Sequence, residues 1–147
     1  MRALVQRVSE ASVAVHGSVT AQIRSGLLVL LGIRSDDTHA RAELLARKVV
    51  QLRVFPDDKG KMNRSLLDIA GELLIVPQFT LYGETDKGNR PSYSKAATPE
   101  LAEPLYEYFV KLCRDKCISV STGIFQAHMQ VRLINDGPVT LMCYSES

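Results

Sequence analysis

The sequence predicts a mixed α/β domain with helices on one side of its sheets. Three observations lead there. The apolar run at 26–33 is unbroken, the mark of a strand covered on both faces. Two stretches with helical apolar spacing each follow a start signal, Asp36-Asp37-Thr38 and Thr98-Pro99. Strand-like runs come first and last, with helix–strand pieces between them. With 147 residues the chain suits one domain, since single domains cluster at about 100–150 residues. One domain over 1–147 is therefore expected.

In order along the chain, residues 2–8 read as a strand, mostly apolar with Gln6 and Arg7 inside it. Residues 12–23 read as a hairpin, with Val13 and Val15 on one face and Gly17-Ser18 at the turn. The covered strand 26–33 follows. A helix then runs to about Leu52, with Leu45, Val49 and Leu52 on one face. Arg53-Val54-Phe55 is a short strand and residues 56–60 a turn. The second apolar run, 72–76, continues into Pro77-Gln78-Phe79-Thr80-Leu81. Proline cannot donate to a ladder, so the strand ends, bulges or becomes an edge at Pro77. Residues 83–97 form a polar loop. Thr98 caps the second helix, with Pro99 at its first position and Leu101, Leu105, Tyr108 and Leu112 on its face. Pro104 lies just inside and predicts an irregular first turn or a kink. Residues 118–120 and 129–134 are strands, Asn135-Asp136-Gly137-Pro138 a turn, and 139–144 the last strand.

Composition narrows the function. The chain is 46% hydrophobic and 23% charged, which excludes a disordered or fibrous protein. No apolar run approaches the roughly 20 residues of a spanning helix, so no membrane partner is expected. The start of the chain shows no apolar signal-peptide core. A net charge of +2 is too small for a protein that coats nucleic acid and leaves room only for a local contact. Three cysteines fit a reducing cytoplasm better than a disulfide framework.

The usual catalytic signatures are absent: no phosphate-cradling glycine loop and no nucleophile elbow. His16 and His39 fall at a turn and a helix start, and so at the surface; His128 could line a site, but a satisfied or solvated imidazole is the preferred reading. Cys113 and Cys117 stand four apart on the second helix, but two thiolates are half a zinc site with no second pair, so no metal is expected. Asp36-Asp37 and Asp57-Asp58 read as a helix cap and a turn. Two segments remain: Gln78-Phe79-Thr80, where an apolar strand ends in an amide, an aromatic ring and a hydroxyl, and Asn135-Asp136-Gly137-Pro138-Val139-Thr140. Such a strand end can present backbone N–H groups and polar tips to a ligand, but on chemistry alone the favoured readings are a strand passing into a loop with Phe79 in the core for the first, and a tight turn for the second.

Taken with others, these segments carry a resemblance. Val5-Gln6-Arg7-Val8, Leu28-Val29-Leu30-Leu31-Gly32, Gly60-Lys61-Met62-Asn63, Gln78-Phe79-Thr80-Leu81, Arg90-Pro91-Ser92, Thr122-Gly123 with Phe125, Ala127-x-Met129-Gln130-Val131 and the Asn135–Thr140 segment occur in order over nearly the whole chain. The chain resembles the D-aminoacyl-tRNA deacylase family. The resemblance implies a three-layer fold, helices on two packed β layers. It also implies a homodimer with active sites at the subunit interface. The implied activity is hydrolysis of the ester between a D-amino acid and the terminal adenosine of tRNA, and of glycyl-tRNA, as translation proofreading in the cytoplasm without a cofactor.

Roles follow by the same resemblance. Gly137 and Pro138, joined by a cis bond that reaches into the partner's site, form the chiral filter: their carbonyl oxygens grip the α-ammonium and leave no room for an L side chain. Thr80, Gln78 and Phe79 form the catalytic strand end, whose backbone holds the ester carbonyl. Phe125 and Met129 wall the adenosine pocket, and Arg90 is a phosphate contact. Thr80 reads either as a nucleophile or as a positioning group. No base stands beside it in sequence, so positioning with attack by water, assisted by the tRNA 2′-hydroxyl, is preferred. Two positions depart from the family pattern: Pro77, where serine is common, and Gln126, where a small residue follows Phe125. They keep two alternatives open, a deacylase of the same fold accepting L-alanyl- or glycyl-tRNA, and a non-catalytic module for the tRNA 3′ end.

Overall fold

A computed structural model describes residues 1–117 and 119–146. It is an α/β fold built on one mixed six-stranded sheet. Strand β1 (Arg2–Val15) is the spine. It pairs antiparallel with β2 (Ser18–Ile23), β3 (Gly26–Gly32) and β8 (Gln130–Tyr144). Beyond β3 the sheet continues in parallel through β6 (Glu72–Pro77) to β7 (Ser119–Thr122). Helices α1 (His39–Gln51) and α3 (Pro99–Lys116) supply the helical side. A two-stranded ribbon, β4 (Phe55–Pro56) with β5 (Met62–Arg64), leads to a single helical turn, α2 (Leu66–Ile69). No helix among the described residues is long and apolar enough to cross a membrane.

β1 serves both halves of the sheet because it changes partner along its length. Residues 2–8 pair with β3, residues 11–15 with β2, and β8 runs beside both parts. In an unbroken strand Ala3, Val5, Ala11 and Val13 would share a face. Here the β1–β8 register shifts on either side of Val8. Ala3 and Val5 therefore enter the core under α1 and α3, while Ala11 and Val13 enter a second core with Ile23, Leu28, Leu74 and Val76. A slip of one residue turns every later side chain over. β3 shows why its run is unbroken: Leu27, Val29 and Leu31 face the helices and Leu28 the second core.

Several expectations are corrected. The hairpin turns at His16-Gly17, not Gly17-Ser18; both residues have positive φ, 50° and 79°, as a type I′ turn requires. The short strand at Arg53-Val54-Phe55 shrinks to Phe55–Pro56. Its partner β5 and helix α2 were not foreseen, although Ser65 and Asp68 form a reciprocal capping box at the start of α2. Thr38 caps α1 and accepts from the Arg41 N–H at 3.3 Å, and Leu45 and Val49 are buried as expected. On α3 the buried stripe is Ala102, Leu105, Tyr106, Phe109, Val110 and Cys113, and Leu101 is 54% exposed. Two apolar stripes overlap on this helix, and the one with the bulkier rings faces the sheet. Thr98 offers its carbonyl to Leu101 and Ala102, but its hydroxyl caps nothing. Pro104 sits on the exposed side of α3, where water can satisfy the carbonyl it leaves free, and the helix runs through it. The strand expected at 118–120 begins at residue 118, outside the described residues; β7 occupies 119–122.

The largest correction concerns residues 135–138. They are not a turn between two strands. β8 is one strand, and both of its halves pair with β1. Gln6 faces Thr140 and Val8 faces Asn135, so four residues, 136–139, bulge out of the ladder opposite Arg7 alone.

Candidate active site

The site grows from the end of β6. Pro77 closes the strand, and the Gln78 N–H makes a last bond to the Leu31 carbonyl at 2.8 Å. The chain then tightens into a 3₁₀ turn, Phe79–Tyr82. Its first hydrogen-bonding donor is Leu81, to the Gln78 carbonyl at 3.3 Å. The N–H groups of Phe79 and Thr80, ahead of that donor, therefore have no acceptor within the turn. The Gln78 side-chain amide donates to the Thr80 hydroxyl. Phe79 is not in the core; it is 56% exposed and meets Tyr93 edge to face at 5.1 Å. The turn is anchored from behind. Arg2 Nη1 donates to the Leu81 carbonyl at 3.2 Å, and the Arg2 guanidinium lies 4.5 Å from the Tyr82 ring.

The facing wall comes from the segment after β7. The Gly123 N–H donates to the Ile75 carbonyl at 2.8 Å, holding this segment against β6. A Cβ on Gly123 would lie 2.8 Å from Met129 Sδ, so only glycine lets that thioether fold over the backbone. The sulfur accepts the Ile124 N–H at 3.3 Å. Phe125 packs near Tyr106, ring centroids 6.0 Å apart, and the Tyr106 hydroxyl donates to the Ile75 carbonyl at 2.9 Å. Burial pushes the Tyr106 phenol far above its ordinary range, so it stays a neutral donor. Between the two walls lies a cleft of about 670 Å³, a size that takes a nucleoside-like ligand. Gln78, Phe79, Phe125 and Met129 all line it, and Thr80 is tied to its rim through Gln78.

Gly137 and Pro138 do not line this cleft. They are exposed on the bulge of β8, and the peptide bond between them is cis. Asn135 braces the bulge from inside. Its Oδ1 accepts the Val139 N–H and its Nδ2 donates to the Thr140 hydroxyl, each at 2.7 Å. Arg7 braces it from the neighbouring strand through the Asp136 carbonyl. Among the described residues β8 pairs only with β1, so the bulge sits on an open sheet edge.

Residues 4–144 match the family described as D-Tyr-tRNA(Tyr) deacylase. The chain belongs to this deacylase family. It is 56% identical over 146 residues to a D-aminoacyl-tRNA deacylase of Thermosipho africanus, covering 99% of this chain and 98% of that one. Among solved structures it is similar to one titled c-Myc DNA Unwinding Element Binding Protein, with TM-score 0.96, 42% identity and full coverage of both chains. A structure titled as that of a probable eukaryotic D-amino acid tRNA deacylase shares the fold, with TM-score 0.83 at 18% identity and 97% coverage of both chains.

In this family member the expected site residues divide into three places. Gln78, Phe79, Phe125 and Met129 line one cleft, and Thr80 stands at its rim, held by Gln78. Gly137 and Pro138 stand apart on the bulge. Arg90 lies exposed in the 83–97 loop and does not line the cleft. Sequence reading missed Tyr93 and Tyr106, which line the cleft from a loop and from α3; His128 is exposed, in keeping with a solvated imidazole, and also lines the cleft. Tyr93 follows directly on Arg90-Pro91-Ser92, which is a signal for it; Tyr106 adjoins none of the motifs. Among the described residues no three His, Cys, Asp or Glu side chains gather as a metal site. Burial pushes the Cys113 thiol up to about 12, away from thiolate chemistry.

Proposed function

We propose that this chain hydrolyses the ester of D-aminoacyl-tRNA, and of glycyl-tRNA, releasing the amino acid and tRNA. The observation that carries the reading is the divided site. The cleft holds a polar strand end and an aromatic wall, while the pinned Gly137-Pro138 bulge projects from an open edge outside it. A second copy of the chain would bring its bulge to the first copy's cleft, completing the site at a subunit interface. The exposed Ile134, Leu141 and Tyr144 on the same strand support burial of that edge in a homodimer.

In this reading the terminal adenine lies against Phe125 and Met129, and Arg90 reaches a nearby phosphate. The ester carbonyl sits at the start of the 3₁₀ turn, where the Phe79 and Thr80 N–H groups meet the developing oxyanion. An aminoacyl ester is already activated, so positioning and oxyanion stabilisation suffice without a strong nucleophile. Gln78 orients the Thr80 hydroxyl, and water attacks, assisted by the substrate's 2′-hydroxyl. The Gly137 and Pro138 carbonyls of the second copy accept the α-ammonium and crowd out an L side chain; glycine has no Cβ and passes. No cofactor enters these steps. The separate cores on the two faces of the sheet support a three-layer arrangement over 1–147. Cytoplasmic translation is where such a substrate occurs.

Matched deacylation of D-tyrosyl-, L-tyrosyl- and glycyl-tRNA tests the reading. Loss of the D and glycyl esters with the L ester spared is expected. Hydrolysis of L esters favours the relaxed deacylase instead, and tight binding without turnover favours a 3′-end binding module.

A further inference from the structure

A second cavity, of about 400 Å³, opens beside the cleft. Tyr106 and Phe125 line both spaces, so their ring pair is the partition. One wall is a single face of α3, where Glu107, Val110 and Arg114 stand at i, i+3 and i+7. The opposite wall is the end of β7, with Thr122 and Gly123. Lys111 and Asp115 pair with each other at 3.1 Å, and Arg114 has no partner among the described residues. An exposed guanidinium and a carboxylate thus face the same hollow about 10 Å apart along the helix.

We propose that this cavity takes the nucleotide immediately 5′ of the terminal adenosine, with Arg114 on its phosphate and Glu107 on its base. The proposal rests on the deacylase reading above and extends it from the reacting end to the next residue of the RNA. A strand whose last base packs on Phe125 lies directly beside the Phe125–Tyr106 partition, with the second cavity on its other side. Unpaired RNA bases are gripped by such rings and read along their edges. The guanidinium suits a phosphate because its planar fork donates two parallel hydrogen bonds. A hollow made for an anion alone would not carry Glu107. A nucleotide has an anion at one end and, if its base is cytosine, an exocyclic amine at the other, the group that carboxylates accept from. Every mature tRNA ends in CCA, so that nucleotide is cytidine. Val110 lies between the two charged groups, placed to meet the base's apolar face.

The test compares D-tyrosyl-tRNA with D-tyrosyl-adenosine, which lacks the nucleotide. Arg114→Ala lowers kcat/KM on the tRNA about tenfold, the loss of one charge-assisted contact. It also makes the log–log salt dependence of that constant shallower by about 0.7, the share of one phosphate on a single strand. On D-tyrosyl-adenosine the variant and the parent chain run together. Glu107→Gln narrows the preference for tRNA ending in CCA over CUA, because an amide pairs with either pyrimidine. Equal losses on both substrates, an unchanged salt slope, or an unchanged CCA preference in Glu107→Gln overturns the proposal. If the parent chain cleaves neither substrate, the deacylase reading itself fails and this extension falls with it.

Discussion

Arg7 Nε donates to the Asp136 carbonyl at 2.9 Å while its Nη1 donates to the Val54 carbonyl at 2.6 Å. One guanidinium thereby clamps the β8 bulge to the segment leading into β4. The clamp is largely buried, its side chain 14% exposed, whereas the Asp136 carboxylate is 3.9 Å away and exposed and adds little. Gly137 completes the fit: its φ is 135°, and a Cβ there would lie 3.0 Å from Arg7 Nη2 and 2.9 Å from Val139 Cγ2.

Arg7→Ala releases the bulge from β1. It costs about 2 kcal/mol for the lost charge-assisted bonds, which lowers Tm by about 4–8 °C at this chain length. If the bulge carries the chiral filter, the ratio of kcat/KM for D- over L-tyrosyl-tRNA also falls at least about tenfold, the yield of one lost orienting contact. Thermal melting and paired deacylation measure both. An unchanged ratio in a folded variant would remove the bulge from stereochemical selection.

Thr80→Val separates the two roles open to Thr80. The Gln78 amide donates to its hydroxyl and so orients the oxygen. A positioning group lost this way slows single-turnover hydrolysis about tenfold to a hundredfold and leaves it measurable, as one misplaced contact does. Complete loss of single-turnover hydrolysis, with the melting curve intact, would instead make Thr80 the nucleophile.

The fold was legible wherever a local signal and the packing agreed. The unbroken run of β3, short and bounded by glycines, pointed to a covered strand, and Thr38 with Leu45 and Val49 set α1. On α3 two apolar stripes competed, and only the position of the sheet chose between them, which is why Leu101 ended outside. The 135–138 segment carried a strong turn signature, yet its neighbours on both sides pair with the same strand. That register is a long-range fact, absent from any window of the sequence. At the site, the motif residues of the cleft were readable only through the family resemblance, since on chemistry alone Phe79 reads as core and Phe125 and Met129 carry no signal of their own. Tyr93 and Tyr106 were missed, because they reach the cleft from a loop and a helix with no shared motif. That Gly137 and Pro138 stand outside their own chain's cleft follows from the bulge, which the sequence does not announce.

Gly123→Ala probes the aromatic wall. The added Cβ would press on Met129 Sδ at 2.8 Å, and it has ordinary contact with Pro77 Cδ at 3.4 Å. A flexible thioether yields more easily than backbone, so Met129 swings into the cleft and the fold survives at a cost of about 1 kcal/mol. The expected outcome is KM for D-tyrosyl-tRNA raised several-fold with kcat nearly unchanged, since only ground-state binding is disturbed. A fall in kcat at constant KM would show that Gly123 shapes the reacting end instead.

Glu146 ties the tail of the chain to the back of the 3₁₀ turn, and its charge gives the tie a pH dependence. Its carboxylate accepts from the Tyr82 hydroxyl and from Arg2 Nε at 3.0 Å, and it lies 3.5 Å from the Met1 ammonium. Burial by itself pushes this carboxyl up. The bonds from Tyr82 and Arg2, with the charges of Arg2 and the terminal ammonium, outweigh it and hold the group below the usual glutamate range. A carboxyl depressed in the folded state stabilises it above the unfolded value, about 4.3. That stabilisation drains away as pH falls from there through the folded value. Glu146→Gln therefore melts a few degrees below the parent chain at pH 7, and the gap closes as the pH drops below about 4. Because Arg2 also donates to the Leu81 carbonyl, the same substitution loosens the turn and lowers kcat at neutral pH. Melting curves that stay parallel from pH 7 down to the acid limit would mean that the Glu146 charge contributes nothing to the fold.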